Sequence, residues 1–174
     1  MNTQSRFDVW KLTTAALLVA LDVIFTRFLS YMIPGNLDRL SLQFVAHGMA
    51  GLLLGPVWGG IVGVVGDITG MLVNSSGLSF YPLLTLSAGT RGVLYGLFLY
   101  RKPLTLWRTM LACIVVTLVV DLGMNPVWMK FMYGQAYTAV LMAKIPIRAV
   151  WAPATGVVLF LIAKALKKPL HLGE

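Results

Sequence analysis

Long apolar runs separated by short polar or turn-forming segments fill almost the whole sequence. A helix that crosses the hydrocarbon core of a bilayer needs about 20 residues, and most of these runs supply that length. Turn signals end the runs, with Pro34 and Gly35 after the first, and Gly55 and Pro56 after the second. The pattern predicts an all-α membrane protein with six transmembrane helices, at residues 12–33, 42–54, 57–73, 81–100, 106–125 and 140–165, with polar loops at 36–43 and 128–138.

Composition supports the membrane assignment and leaves no room for a soluble domain. Only 11% of the 174 residues are charged, whereas soluble domains average about 25%. Residues 1–174 therefore form one predicted membrane domain. The net charge of +8 is scattered around the apolar runs, which indicates topology signals and lipid contacts and excludes a nucleic-acid surface. The single cysteine, Cys113, lies in an apolar run, so we expect no disulfide framework, metal cluster or cofactor.

Lysine and arginine residues near the ends of the predicted spans set the orientation. With six spans, eight such residues fall on the side of the termini and four on the other, and Arg91 and Arg148 are left out because they lie within spans. The first set is Arg6, Lys11, Arg101, Lys102, Arg108, Lys164, Lys167 and Lys168, and the second is Arg27, Arg39, Lys130 and Lys144. The bias predicts that both termini are cytoplasmic.

Two charges, Asp67 and Arg91, fall near the predicted midplane, where an ion without a partner is costly. Glycines recur around them at helical spacing, which allows apolar helices to approach closely. One interpretation is a structural Asp67–Arg91 pair in a tightly packed bundle. The other is a polar pocket at membrane depth.

The remaining polar groups within the spans converge on the outer half of the predicted bundle. Arginines there would attract an anion, and aromatic residues could stack on a flat ring. The candidate ligand-binding residues are Arg27, Arg39, Gln43, His47, Asp67, Tyr81, Arg91, Asn125, Trp128 and Arg148. Each also has a simpler explanation. Arginines and aromatics near span ends are often interfacial anchors, His47 could be a packing residue, and Asn125 with Pro126 could cap a helix.

Several motifs are absent from the sequence. It has no Gly-x-x-x-x-Gly-Lys-Ser/Thr loop and no His-Glu-x-x-His motif, and its only glutamate is Glu174. These absences argue against a P-loop ATPase and a zinc protease. No inverted repeat is evident, so a self-sufficient secondary transporter fits poorly. If the protein moves a solute uphill, a partner must supply the energy.

The runs GMAGLLLGPVWGGIVGVVGD at 48–67 and YPLLTLSAGTRGVLYGLFLY at 81–100 resemble the S components of energy-coupling factor (ECF) vitamin transporters, in particular the folate-specific FolT branch. The resemblance covers nearly the whole chain. It implies a non-enzymatic subunit of the bacterial cell membrane that captures folate outside. It also implies partners, namely the transmembrane subunit EcfT and the ATPase subunits EcfA and EcfA'. Thr13, Ala16 and Ala20 are similar to the small-residue motif with which S components dock on EcfT.

Other functions stay open at this point. The ligand could be riboflavin, thiamine, biotin or pantothenate. Asp67 and Asp121 could share a proton in an intramembrane aspartyl protease, although the Gly-x-Gly-Asp context is absent. A small channel or a structural scaffold is a further alternative.

Overall fold

The computed structural model describes residues 3–32, 39–73, 82–134 and 137–170, and it is helical apart from one short hairpin. The elements are α1 (Thr3–Arg27), β1 (Ser30–Met32), β2 (Arg39–Ser41), α2 (Gln43–Leu54), α3 (Pro56–Val73), α4 (Pro82–Leu99), α5 (Leu106–Val116), a π-helical segment (Thr117–Met124), α6 (Asn125–Tyr133) and α7 (Tyr137–Leu170). Four stretches are long and apolar enough to cross a membrane: Val9–Arg27, Pro56–Val73, Leu106–Phe131 and Lys144–Leu166. Within the described residues, α2 and α4 do not meet that length and composition test.

Two sequence predictions were wrong: the bounds of the first helix, predicted at 12–33, and the loop predicted at 128–138. The first helix starts at Thr3 and ends at Arg27, and the next residues form β1, which pairs antiparallel with β2. A strand pair depends on contacts between distant residues, so local polarity does not reveal it. The predicted loop at 128–138 is instead helical as far as Tyr133, because α6 continues directly from the π-helical segment.

Glycines on α3 and α4 bring these two antiparallel helices into backbone contact. A side chain at Gly92 would lie within 3.0 Å of the Gly59 carbonyl, and one at Gly63 within 3.0 Å of the Ala88 carbonyl. In a bilayer, where lipid tails are as apolar as Leu, such close packing is what holds helices together. The predicted role of the glycine spacing is therefore confirmed for this pair.

The long helical segments alternate in direction around two apolar clusters. One cluster includes Phe44, Tyr95, Cys113 and Leu159, and the other includes Leu18, Met49 and Val62. Cys113 is 1% exposed, as its position in an apolar run predicted. α1 and α3 run parallel, because Asp22 lies beside Gly66 and Arg27 beside Gly70. The C-terminal end of α1 therefore lies at the same end of the bundle as the N-termini of α2 and α4. We call it the β-hairpin end, after β1 and β2.

Candidate functional site

A buried carboxylate, Asp121, lies between two arginines near the β-hairpin end. Arg91 Nη2 donates a hydrogen bond of 2.8 Å to Asp121 Oδ1, and Arg148 Nη1 lies 3.0 Å from Asp121 Oδ2. The side chains of Arg91, Asp121 and Arg148 are 16%, 5% and 10% exposed. Charge-assisted bonds of this length are strong, and burial reduces solvent screening. The three groups together carry one net positive charge, which suits an anion.

Two amides extend this network, which we call the arginine cluster (Gln43, Arg91, Asp121, Asn125 and Arg148). Gln43 Oε1 accepts a hydrogen bond of 2.7 Å from Arg91 Nη1. Asn125 Nδ2 donates to Asp121 Oδ1 at 3.4 Å. Four of the predicted site residues thus meet around Asp121, which was not itself among the candidate ligand-binding residues.

Asp121 faces the arginines from a π-helical turn. In this segment the backbone N–H of Asn125 bonds to the Val120 carbonyl, five residues earlier. A π-helical turn widens the helix locally and is frequent at functional sites. Beyond it, Trp128 on α6 is half-buried, and its indole Nε1 donates a hydrogen bond of 2.9 Å to Ser87 Oγ on α4. This contact fixes one predicted aromatic residue beside α4.

A second polar group, the α1–α3 cluster (Asp22, Arg27, His47 and Asp67), lies between α1, α2 and α3. Arg27 Nη2 is 3.8 Å from Asp67 Oδ1, and Thr85 Oγ1 on α4 donates to Asp67 Oδ2 at 2.7 Å. The predicted Asp67–Arg91 pair is therefore wrong, because each residue is held by other partners. Asp67 and Asp121 are also held by different arginines, which removes the paired carboxylates that an aspartyl protease would need.

Asp22 and His47 form the most deeply buried part of the α1–α3 cluster. Both residues are 0% exposed, and His47 Nε2 is 3.4 Å from Asp22 Oδ1. Neither Asp22 oxygen and neither His47 ring nitrogen makes a hydrogen bond in the described part of the chain. An unsatisfied buried polar group costs about 1–3 kcal/mol. Asp22 was not predicted as a site residue, although a carboxylate inside an apolar run was the signal that singled out Asp67.

The other predicted site residues are described less fully. Arg39 lies in β2, opposite Met32, and its side chain is outside the described part. Tyr81 lies outside the described residues. Thr13, Ala16 and Ala20 are all exposed on α1, and Thr13 Oγ1 bonds to the Val9 carbonyl at 2.8 Å. These three residues therefore do not pack inside the described part of the chain.

A family model described as the S component of the ECF-type riboflavin transporter matches residues 6–168. The chain belongs to the S components of ECF transporters. This S component is 33% identical over 145 residues to the folate transporter FolT of Clostridium novyi, with 83% of each chain covered. It is 29% identical over 165 residues to FolT of Streptococcus mutans, covering 85% of this chain and 87% of that one.

Solved structures agree with this membership. A crystal structure of FolT bound with folic acid matches the S component with a TM-score of 0.81 and 28% identity, covering 94% of this chain and 95% of that one. The S component of another bacterial ECF transporter matches with a TM-score of 0.69 and 21% identity, over 94% of this chain and 98% of that one. The second match supports the fold alone.

Proposed function

We propose that this S component binds folate within its membrane domain and delivers it inward as part of an ECF transporter. The observation that carries the proposal is the buried arginine cluster, in a chain whose relatives are folate transporters. Folate ends in a glutamate with two carboxylates. Arg91 and Arg148 share one carboxylate partner, so the cluster has one positive charge in excess for such a ligand.

The rings of folate suit the rest of the predicted site. Trp128 provides a flat apolar surface beside the cluster, and stacking of aromatic rings adds about 0.5–1.5 kcal/mol beyond the area buried. Gln43 and Asn125 supply amide groups at the edge of the arginines. Arg27, Arg39, His47, Asp67 and Tyr81 complete the proposed binding set.

Riboflavin is the second candidate ligand, because the family model that matches the chain is named for the riboflavin transporter. Riboflavin lacks the paired carboxylates that would use the excess positive charge of the arginine cluster. The cluster therefore favours folate.

Calorimetric titration of the purified protein in detergent distinguishes the two. We expect folate to bind without ATP or partner subunits, with a dissociation constant below micromolar, equivalent to more than about 8 kcal/mol. Riboflavin, thiamine, biotin and pantothenate serve as matched controls. A signal for one of these and none for folate would overturn the folate assignment and leave the family membership intact.

The transport cycle requires partners and an orientation. We propose six spans in the bacterial cell membrane, with α2 and α4 among them and both termini in the cytoplasm. The alternating helix directions and the lysine and arginine bias support this topology. The proposed partners are EcfT and the ATPase subunits EcfA and EcfA'. Thr13, Ala16 and Ala20 are the proposed contact with EcfT, because they form an exposed small-residue surface on α1.

A further inference from the structure

Asp22 has no hydrogen-bond partner for its carboxylate, although bulk water does not reach it. The residue is 0% exposed, and neither Oδ1 nor Oδ2 accepts a hydrogen bond from any described group. The Thr26 hydroxyl beside it donates to the Asp22 backbone carbonyl and not to the carboxylate, whose Oδ1 lies 3.4 Å from His47 Nε2. A buried carboxylate is normally paired or hydrogen-bonded, so this one retains the capacity to accept bonds from a ligand.

The groups around Asp22 are also incompletely bonded. His47 is 0% exposed and its two ring nitrogens make no hydrogen bond, and Arg27 Nε and Nη1 have none either. Toward α3, the carboxylate lies against Gly66, where an added Cβ would come within 3.0 Å of Oδ2. Few hydrogen bonds therefore hold the Arg27 and His47 side chains beside Asp22, and their free donors are available to a ligand as well.

The α1–α3 cluster and the arginine cluster are neighbours of opposite character. Gln43 of the arginine cluster and His47 lie one turn apart on α2, so they share a helix face. The arginine cluster has an excess of one positive charge. The α1–α3 cluster instead has two carboxylates, Asp22 and Asp67, beside the single guanidinium of Arg27. A ligand with an anionic end and a donor-rich end complements both.

We propose that Asp22 is a specificity-determining residue of the ligand site, where its carboxylate accepts two adjacent N–H donors from a heterocyclic ring. The inference rests on the proposed folate function. The 2-amino-4-oxopyrimidine edge of folate presents such a pair, the 2-amino group and the ring N–H. A carboxylate accepts both in parallel, as it does from a guanidinium. Riboflavin presents one N–H between two carbonyls, so its carbonyl oxygen would face the carboxylate and be repelled.

The test compares folate with its 2-desamino analogue, which keeps the glutamate tail and loses one donor. We expect the wild-type protein to bind folate at least about tenfold more tightly than the analogue, because hydrogen bonds to a charged group are strong. Asp22→Asn should reduce that preference to about threefold or less, because an amide accepts only one of the two donors. Affinities are measured by calorimetric titration, and thermal unfolding of each variant checks its folding.

Two further variants keep the test decisive. Gly66→Ala retains Asp22 but crowds its carboxylate, so it should also lower the preference for folate over the analogue. This variant replaces Asp22→Asn in the test if Asp22→Asn does not fold. Thr109→Val removes an equally buried hydroxyl on α5, away from both clusters, and should leave the preference unchanged.

The possible failures are distinguishable. If the wild type binds folate and the 2-desamino analogue equally, or if Asp22→Asn or Gly66→Ala keeps the full preference, the role of Asp22 falls while the folate function stands. If the wild type binds another vitamin and no folate, the proposed function and this inference fall together.

Discussion

Asp121 is the residue on which the arginine cluster depends, because it contacts both guanidinium groups. Asp121→Asn removes the carboxylate that the two guanidinium groups share. Arg91→Gln still leaves Asp121 paired with Arg148. We therefore expect Asp121→Asn to lower the free energy of unfolding by about 3 kcal/mol and Arg91→Gln to lower it by less.

Thermal unfolding in detergent measures how much each of the two variants is destabilised. Lys102→Gln is the control, since Lys102 is exposed and the hydrogen bond described for its side chain goes to the Leu97 carbonyl. A surface change of this kind should stay within about 0.5 kcal/mol. If Asp121→Asn is no more destabilising than Lys102→Gln, Asp121 does not hold the cluster together.

The residues of the candidate site were more predictable from sequence than their pairing. Depth in the bilayer follows from position along a span, which is why Arg91, Asn125 and Arg148 were correctly placed near one another. Pairing also depends on which side of each helix a residue faces. A π-helical turn changes that direction at Asp121, and no local pattern revealed the turn.

At the scale of elements, the α3–α4 contact should tolerate no added side chain. Gly92→Ala would push a methyl group into the Gly59 carbonyl, which is backbone and cannot turn aside. We expect Gly92→Ala to destabilise the protein by about 2 kcal/mol or more, as overpacking typically does.

Gly123→Ala is the matched control, because an added methyl group at Gly123 would lie 3.2 Å from the Leu118 carbonyl, a milder contact than the one at Gly92. Its effect on the apparent melting temperature should be much smaller than that of Gly92→Ala. Equal melting temperatures for Gly92→Ala and wild type would show that α3 and α4 can separate without cost.

Helix boundaries were predictable where strong helix-ending residues mark them. Gly55 and Pro56 separate α2 and α3, and both helices were placed within one residue of their observed bounds. The prediction failed at β1, β2 and α6. The strands are held by each other, and α6 extends a helix past Pro126, which is tolerated because proline suits the first turn of a helix.

For the whole molecule, the proposed topology predicts which surfaces are reachable from outside the cell. In a Cys113→Ala background, Lys130→Cys should react with a membrane-impermeant maleimide on intact cells. Lys102→Cys should react only after the membrane is permeabilised. Both lysines are exposed, so differences in labelling report sidedness and not burial. The reverse labelling pattern would invert the orientation, and labelling of both from outside would exclude six spans.

Docking on EcfT should be separable from ligand binding, because the two surfaces differ in position. Ala16 and Ala20 are exposed on the middle of α1, while Asp22 and Arg27 face the interior nearer its C-terminal end. Small residues allow a partner helix to approach closely, and large ones prevent it. Ala16→Trp combined with Ala20→Trp should leave the folate dissociation constant of the isolated protein within about twofold, an effect below 0.5 kcal/mol. ATP-driven folate uptake by the full complex should be abolished.

The control for that pair is Val157→Trp combined with Leu161→Trp on α7. These residues have the same spacing and are also exposed, at 39% and 58%, so the variant places the same pair of tryptophans on a different exposed surface. Uptake should persist in this control. Loss of uptake in both double variants would mean that added bulk alone blocks transport. Loss of folate binding in the Ala16→Trp, Ala20→Trp variant would mean that this face of α1 is needed for ligand binding. Loss of uptake confined to the α1 pair, with binding retained, is the result that assigns Ala16 and Ala20 to the EcfT contact.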